Sequence, residues 1–430
     1  MNYQDRLLKV IPGGAHTYSR GFDQYPANAP QILSSGKGAY VVDPQGHRYL
    51  DYGMALRAVN IGYAEDEIDN AAFKQIRNGN NLTRASMVEL EAAELLVDMI
   101  DSVDMVKFTK NGSTSVSAAV KLARAFTGRE LVARCVEHPF FSYDDWFIGS
   151  TPLVRGIPRE TIAQTKLFSF NDPASLQRLF DQYPQEIACV ILEPAAGEEP
   201  RDGFLQGVKD LCAKNNAVFI LDEMITGFRW HMKGAQHLYG VKPDLCTFGK
   251  AMANGFSVSC IAGRREIMEL GSIEVEGRER VFLLSTTHGA EMAGLGAFIA
   301  AMGFMQRHAV VEHLWSYGRK LLAVFERQAA AHGIGDCFKA GGVPCSPYYV
   351  TLDRAGTNSL PLRTLFSQEM IRHGILMPWI ALSYRHGDAE LAATEHALDR
   401  TFAVYRRALD EGVEKYLQGP VIKPVFRKYN

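Results

Sequence analysis

The chain has 430 residues, 47% of them hydrophobic and 22% charged, which allows two or three domains with a sizeable core and excludes a disordered or fibrous protein. Lys and Arg number 46 against 48 Asp and Glu, a net charge of −2, so no nucleic-acid or anionic-membrane binder is expected and any ligand must be recognised locally. The longest nearly apolar stretch, Met292 to Met305, falls short of the ~18 residues a spanning helix needs, and the start MNYQDRLLKV is too charged for a signal peptide. A cytoplasmic location is the expectation. Seven cysteines without a CxxC pair read as buried thiols, and twelve histidines without an HExxH motif give no metal site.

In chain order, Gly- and Pro-rich sequence from Pro12 leads into short β-prone pieces, Ala39 to Val42 and Tyr49 to Asp51, around a turn at Pro44 to Gly46. These form an N-terminal arm and hairpin, residues 1–54. Helical patterns then alternate with short apolar runs at Asp104 to Thr109, Leu131 to Cys135, Ala188 to Leu192, Ala217 to Leu221, Cys246 to Phe248 and Ser259 to Ala262. Runs of four to six apolar residues between amphipathic helices predict an α/β domain with a buried, mainly parallel sheet, residues 55–309. A long helix (Val310 to Ala331), a Gly-rich strand region (Gly341 to Leu352) and helices over Leu362 to His373 and Ala389 to Glu411 predict a smaller α+β domain, residues 310–430.

Three places carry chemistry. Val218 to Glu223 is an apolar run ending in two acids, and the carboxyl end of a parallel strand faces the ligand crevice, so Asp222 points at function. Taken alone, it could equally bind a metal–nucleotide or cap the next loop. Lys250 follows the strand-like Leu245 to Phe248 between glycines, where burial can free its amine for nucleophilic work; alone, it could be a surface lysine. Gly112 and Ser113 open a helix after Phe108-Thr109, and exposed N–H groups at a helix start suit a phosphate, although Ser and Thr there are commonly plain caps. There is no Walker loop or GxGxxG. Together, a phosphate cradle, a strand-end acid and an amine are the three contacts that pyridoxal 5′-phosphate (PLP) demands.

With Pro12-Gly13-Gly14 through Arg20, Leu122 to Arg129, Glu193-Pro194, Asp222 to Arg229 and Pro243 to Lys250 in order, the chain resembles the class III, fold type I PLP-dependent aminotransferases, most closely the glutamate-1-semialdehyde 2,1-aminomutase branch. The resemblance covers nearly the whole chain. It implies that Lys250 forms a Schiff base with the cofactor and moves a proton, and that Asp222 keeps the pyridine nitrogen protonated. It further implies that Gly112 and Ser113 bind the phosphate, that Phe140 stacks on the ring, and that Glu193 lies near the cofactor. Arg20 would meet a substrate carboxylate, for which a guanidinium fork is apt. Thr286 would reach the phosphate of the partner subunit, implying a homodimer with shared active sites.

Departures cluster on the substrate side and the dimer seam: Thr114 for the usual acid, Phe141 and Ser142 for His and Gly, Met224 for Val, and Ala290-Glu291 for Asn-Pro. They favour a relative of the aminomutase with another amine acceptor. The expected activity is amino transfer from an amino donor to a keto or aldehyde acceptor; the alternatives are the intramolecular aminomutase reaction and a non-catalytic PLP-fold binding protein.

Overall fold

The computed structural model describes residues 2–430. It divides into two compact units: Asp66–Val311, and the segment up to Glu65 together with Glu312–Asn430.

The Asp66–Val311 unit is built on a seven-stranded sheet in the spatial order Met105–Thr109, Ser259–Gly263, Leu245–Phe248, Val218–Asp222, Ile187–Leu192, Leu131–Cys135, Thr165–Phe168. Six strands run the same way, and Ser259–Gly263 is antiparallel to both of its neighbours. The sheet is therefore mainly parallel, as the apolar runs predict. The exception has a simple cause: only ten residues, 249–258, join Leu245–Phe248 to Ser259–Gly263, too few for the crossover a parallel neighbour requires. The two central strands Ile187–Leu192 and Val218–Asp222 are buried along their whole length, because helices cover both faces. The edge strand Thr165–Phe168 buries only its two ends, so no apolar run announces it in the sequence.

The helix Gly112–Thr127 packs Val116, Ala119, Val120, Leu122 and Ala123 into the core and stops at Gly128, whose left-handed φ of 68° lets its N–H close on the Arg124 carbonyl. All seven cysteines are buried free thiols. No helix among the described residues is long and apolar enough to cross a membrane.

In the other unit, strands Ser35–Lys37, Tyr40–Val42 and Arg48–Asp51 pair antiparallel. Asp43 Oδ1 accepts the Gln45 and His47 N–H groups to form the expected turn. Ile375–Leu376 joins parallel to Arg48–Asp51, which ties the beginning of the chain to a segment more than 300 residues later. The strand pair Phe338–Gly341 and Tyr348–Thr351 and the helices Leu360–Arg372 and Asp388–Glu411 complete it. Met54, Ala55, Leu56 and Arg57 form a left-handed turn with φ from 39° to 67°, a conformation costing roughly 1–2 kcal/mol per non-glycine residue. Asp51 stabilises it by accepting the Gly53 and Met54 N–H groups and the Tyr63 hydroxyl.

Candidate active site

The parallel strands bring five of the sequence-predicted residues to one edge of the sheet. Thr109 leads into Gly112 and Ser113, Leu192 into Glu193, Phe248 into Lys250, and Asp222 itself closes its strand. The register sets Leu192 beside Leu221 and Asp222 beside Thr247, so Glu193, Asp222 and the Lys250 turn follow one another across adjacent strand ends, where ligands of parallel sheets bind.

The two acids of the strand end separate by environment. Glu223 is fully buried and accepts the Ala235 and Gln236 N–H groups at 2.9 and 2.8 Å as well as the Thr226 hydroxyl, so it serves the chain's own turn. Asp222, 2% exposed, uses Oδ1 alone: it accepts the Met224 N–H at 2.9 Å and the Thr247 hydroxyl at 3.1 Å. Oδ2 has no hydrogen-bond partner among the described residues. Burial pushes the Asp222 carboxyl up to about 6, against the opposing pull of the Lys250 ammonium and its two hydrogen bonds. Such a group gains from a cationic N–H donor placed at Oδ2.

Lys250 opens the short 3-10 turn Lys250–Ala253 with a left-handed φ of 42°. A non-glycine residue held there is strained, which is characteristic of functional positions. At the helix start, Asn111 Oδ1 accepts the Thr114 N–H and hydroxyl. This cap leaves the Gly112 and Ser113 N–H groups without an acceptor among the described residues and aimed outward at the positive end of the helix dipole. The Ser113 hydroxyl oxygen accepts the Tyr143 N–H at 3.2 Å.

Phe140 is about half exposed (47%) with its ring edge-on to Phe147 at 5.6 Å, whereas Phe141 is buried against Trp146, Phe147 and His138. The exposed ring is thus the one available for stacking. Glu193 is buried, and its backbone N–H donates to His138 Nδ1 at 3.0 Å. That bond puts the His138 proton on Nε2, and burial pushes the imidazole down to about 4, so it stays neutral at pH 7. The roles of His138 and Thr247 were not legible in the sequence; a His three residues after a predicted strand end is the trace of the former.

Thr286 is exposed, in the segment before the helix Met292–Arg307. Asn81 Nδ2 donates to the Thr287 carbonyl at 3.0 Å, Asn80 Nδ2 to Glu291 Oε1 at 2.9 Å, and Lys110 Nζ bonds Glu291 Oε2 at 2.7 Å. This ties the segment to the residue just before the Asn111 cap. The Lys110 and Asn80 bonds hold the Glu291 carboxyl below its ordinary range. A depressed carboxylate contributes stability that is present above its unfolded value, near 4.5, and is lost as pH falls through the lower folded value. Lys110→Met is therefore expected to lower the melting temperature on the order of 1–2 °C at pH 7 and to leave it unchanged well below pH 4, by thermal melts across pH, since both partners are partly exposed. Arg20 belongs to the other unit, exposed on the turn Tyr18–Arg20, where its charge opposes the burial that raises Tyr25 and Tyr63.

An anion cradle, an acid with one uncommitted oxygen and an amine match the phosphate, ring nitrogen and carbonyl of PLP. The surrounding backbone is also pared down: a Cβ at Gly112 or Gly249 would lie 2.8 or 2.6 Å from Met224 Sδ. The residues present fit the cofactor.

The family model of class-III aminotransferases matches residues 23–343. The chain is 31% identical over 420 residues to the 3-aminobutyryl-CoA aminotransferase of Cloacimonas acidaminovorans (strain Evry), covering 95% of this chain and 98% of that one. It is also 31% identical over 429 residues to the glutamate-1-semialdehyde 2,1-aminomutase of Nitrosospira multiformis, covering 93% and 98%. The FumI protein of Sphingopyxis sp. MTA144, solved with PLP, superposes with a TM-score of 0.86 at 25% identity over 95% of this chain and 97% of that one. Sequence motifs, a strand-edge site and full-length relatives agree: the chain belongs to the class III aminotransferases and is a PLP-dependent enzyme.

Proposed function

We propose that this enzyme moves an amino group from a donor amine to a separate keto or aldehyde acceptor, with Lys250 and Asp222 as its catalytic pair. When bound, the cofactor supplies an electron sink for the carbanion that forms as the substrate loses its proton. The Lys250 amine would hold the cofactor through its carbonyl and, when free, would take the substrate proton and return it. Asp222 Oδ2 accepts the ring N–H and keeps it protonated. Gly112 and Ser113 N–H groups hold the phosphate, Phe140 covers one ring face, and Glu193 lines the crevice with its backbone fixed by His138. The observation that carries this function is the buried Asp222, its two hydrogen bonds both on Oδ1, one strand from the Lys250 turn.

A separate acceptor is favoured over the intramolecular reaction by the departures around the substrate side, with Phe141 and Ser142 buried where the aminomutase pattern has His and Gly. Arg20 supplies a guanidinium for a substrate carboxylate. The relative named for 3-aminobutyryl-CoA makes β-amino acids and their thioesters the first donors to assay, beside α-amino acids. With purified enzyme, a donor alone is expected to change the cofactor absorbance and release the matching carbonyl product, and adding an acceptor to restore it. Turnover of glutamate-1-semialdehyde alone, with no response to any donor, would establish the aminomutase reaction instead.

The enzyme works as a homodimer in the cytoplasm. Support comes from the exposed Thr286 with Phe282 and Ile273 exposed nearby in the chain (75% and 80%), and from seven buried free thiols suited to a reducing compartment. Light scattering at working concentration is expected to give twice the chain mass.

A further inference from the structure

Arg20 sits on an arm with little structure of its own. Single 3-10 turns at Pro12–Gly14, Tyr18–Arg20 and Phe22–Gln24 follow one another. The Gly21 N–H donates to the Tyr18 carbonyl at 2.9 Å and the Gln24 N–H to the Gly21 carbonyl at 3.0 Å, so the last two turns share Gly21. Turns this short are marginal by themselves and need support from elsewhere in the chain. The segment Tyr416–Asn430 supplies it. Its near part is seated on the helix Leu360–Arg372: the Ile422 N–H donates to Thr364 Oγ1 at 3.1 Å, and the Gln418 N–H to Gln368 Oε1 at 2.8 Å, both acceptors on buried residues. Its far part reaches the arm. The Lys423 N–H donates to the Asp23 carbonyl at 2.9 Å, and Gln24 Nε2 donates to the Lys423 carbonyl at 2.9 Å. Arg427 Nη2 donates to Asp23 Oδ2 at 2.5 Å, while its Nη1 donates to the Pro424 carbonyl at 2.8 Å. The other Asp23 oxygen, Oδ1, lies over Gly21, where a Cβ would meet it at 2.8 Å. One carboxylate thus joins the Arg427 guanidinium to the backbone immediately after Arg20.

We propose that the segment Tyr416–Asn430 is a strap that fixes this arm, and that Arg427, acting through Asp23, is a positioning residue for Arg20. This rests on Arg20 receiving a substrate carboxylate. A guanidinium fork grips a carboxylate with two parallel hydrogen bonds only in a narrow range of orientations, so the backbone that carries it has to be held. The strap therefore acts on the affinity for carboxylate substrates and leaves the cofactor chemistry alone. Arg427 and Asp23 are 23% and 35% exposed, so their ion pair contributes little to global stability and its removal leaves a folded chain.

The test uses the full-length enzyme loaded with PLP, with 3-aminobutyrate and alanine as donors that carry a carboxylate and isopropylamine as one that does not. Arg427→Met and Asp23→Asn are each expected to raise KM for the carboxylate donors about fivefold to tenfold, since small misplacements of binding groups are amplified. In both variants kcat, KM for isopropylamine and the PLP dissociation constant should stay within about twofold of wild type. The double variant should match the single ones, and Arg427→Lys, which keeps a cationic donor, should stay within about threefold of wild type. Arg20→Met should raise the carboxylate KM on the order of thirtyfold, and adding Arg427→Met to it should change nothing further. Hydrogen exchange needs no donor: amides of residues 18–25 should exchange at least about fivefold faster in Arg427→Met. Unchanged exchange, losses that multiply in the double variants, or equal losses with isopropylamine would overturn the proposal. A wild-type chain that responds to neither carboxylate donor, or an Arg20→Met chain with wild-type KM for both, would instead overturn the reading of Arg20.

Discussion

Lys250→Ala is expected to lower amino transfer by roughly 10⁴-fold or more, the scale seen when a covalent nucleophile that also carries the proton is removed. Borohydride reduction gives a readout independent of turnover. In the wild-type chain it should fix one cofactor mass on the peptide containing Lys250; in the variant it should fix none. PLP should still bind the variant, because the Gly112 and Ser113 N–H groups and the Asp222 carboxylate remain in place. Fixation at another lysine in the wild-type chain would show that the left-handed turn at Lys250 serves packing alone.

Asp222→Asn should separate chemistry from binding. An amide cannot keep the ring nitrogen protonated, and that proton matters most where carbanion charge develops, so kcat is expected to fall roughly 10²–10³-fold while PLP affinity changes only a few-fold. The same variant has a signed effect on the cofactor-stripped chain. Burial raises the Asp222 carboxyl from 3.8 to about 6, so the folded chain holds its proton more tightly than the unfolded chain does. Stability from this group is then lost as pH rises from about 4 through about 6, and the penalty is complete above that. The stripped Asn variant should melt higher than stripped wild type at pH 7.5, and the gap should close toward pH 4. With PLP bound the order should reverse, because a cationic N–H at Oδ2 compensates the buried carboxylate. A gap independent of pH would mean that Asp222 titrates alike in the folded and unfolded chains, and its reading as a buried carboxylate that needs a cationic N–H would fall.

Much of the site was legible because strand-end positions in a parallel sheet carry their own signature. Val218 to Leu221 reads as a buried strand, and an acid at its end has few other reasons to be there. Strand-end position and the family resemblance singled out Asp222, but no role for Glu223 beside it was legible there. Both are buried acids in tandem, and only the three donors converging on Glu223 show that it serves the chain's own turn. Thr247 and His138 escaped notice because each acts through one hydrogen bond, to Asp222 Oδ1 and from the Glu193 N–H, across strands that are 25 and 55 residues apart in the chain. Met224 was visible only as a departure from the family pattern; its contact with two glycine backbones exists only once the Gly112 and Gly249 turns are folded beside it.

The sequence alone determined the class of the sheet, six of its seven strands in chain order and the residues at their ends, because apolar runs and turn residues are local properties read directly from neighbouring side chains. It also determined the cofactor, since three ordered motifs demand the same chemistry. Tertiary structure decided which strands lie side by side and which direction Ser259–Gly263 takes. It also decided that Ile375–Leu376 completes a sheet begun before residue 52, and which acid keeps an uncommitted oxygen. Pairing and burial depend on contacts between residues tens to hundreds of positions apart, and no local pattern encodes them.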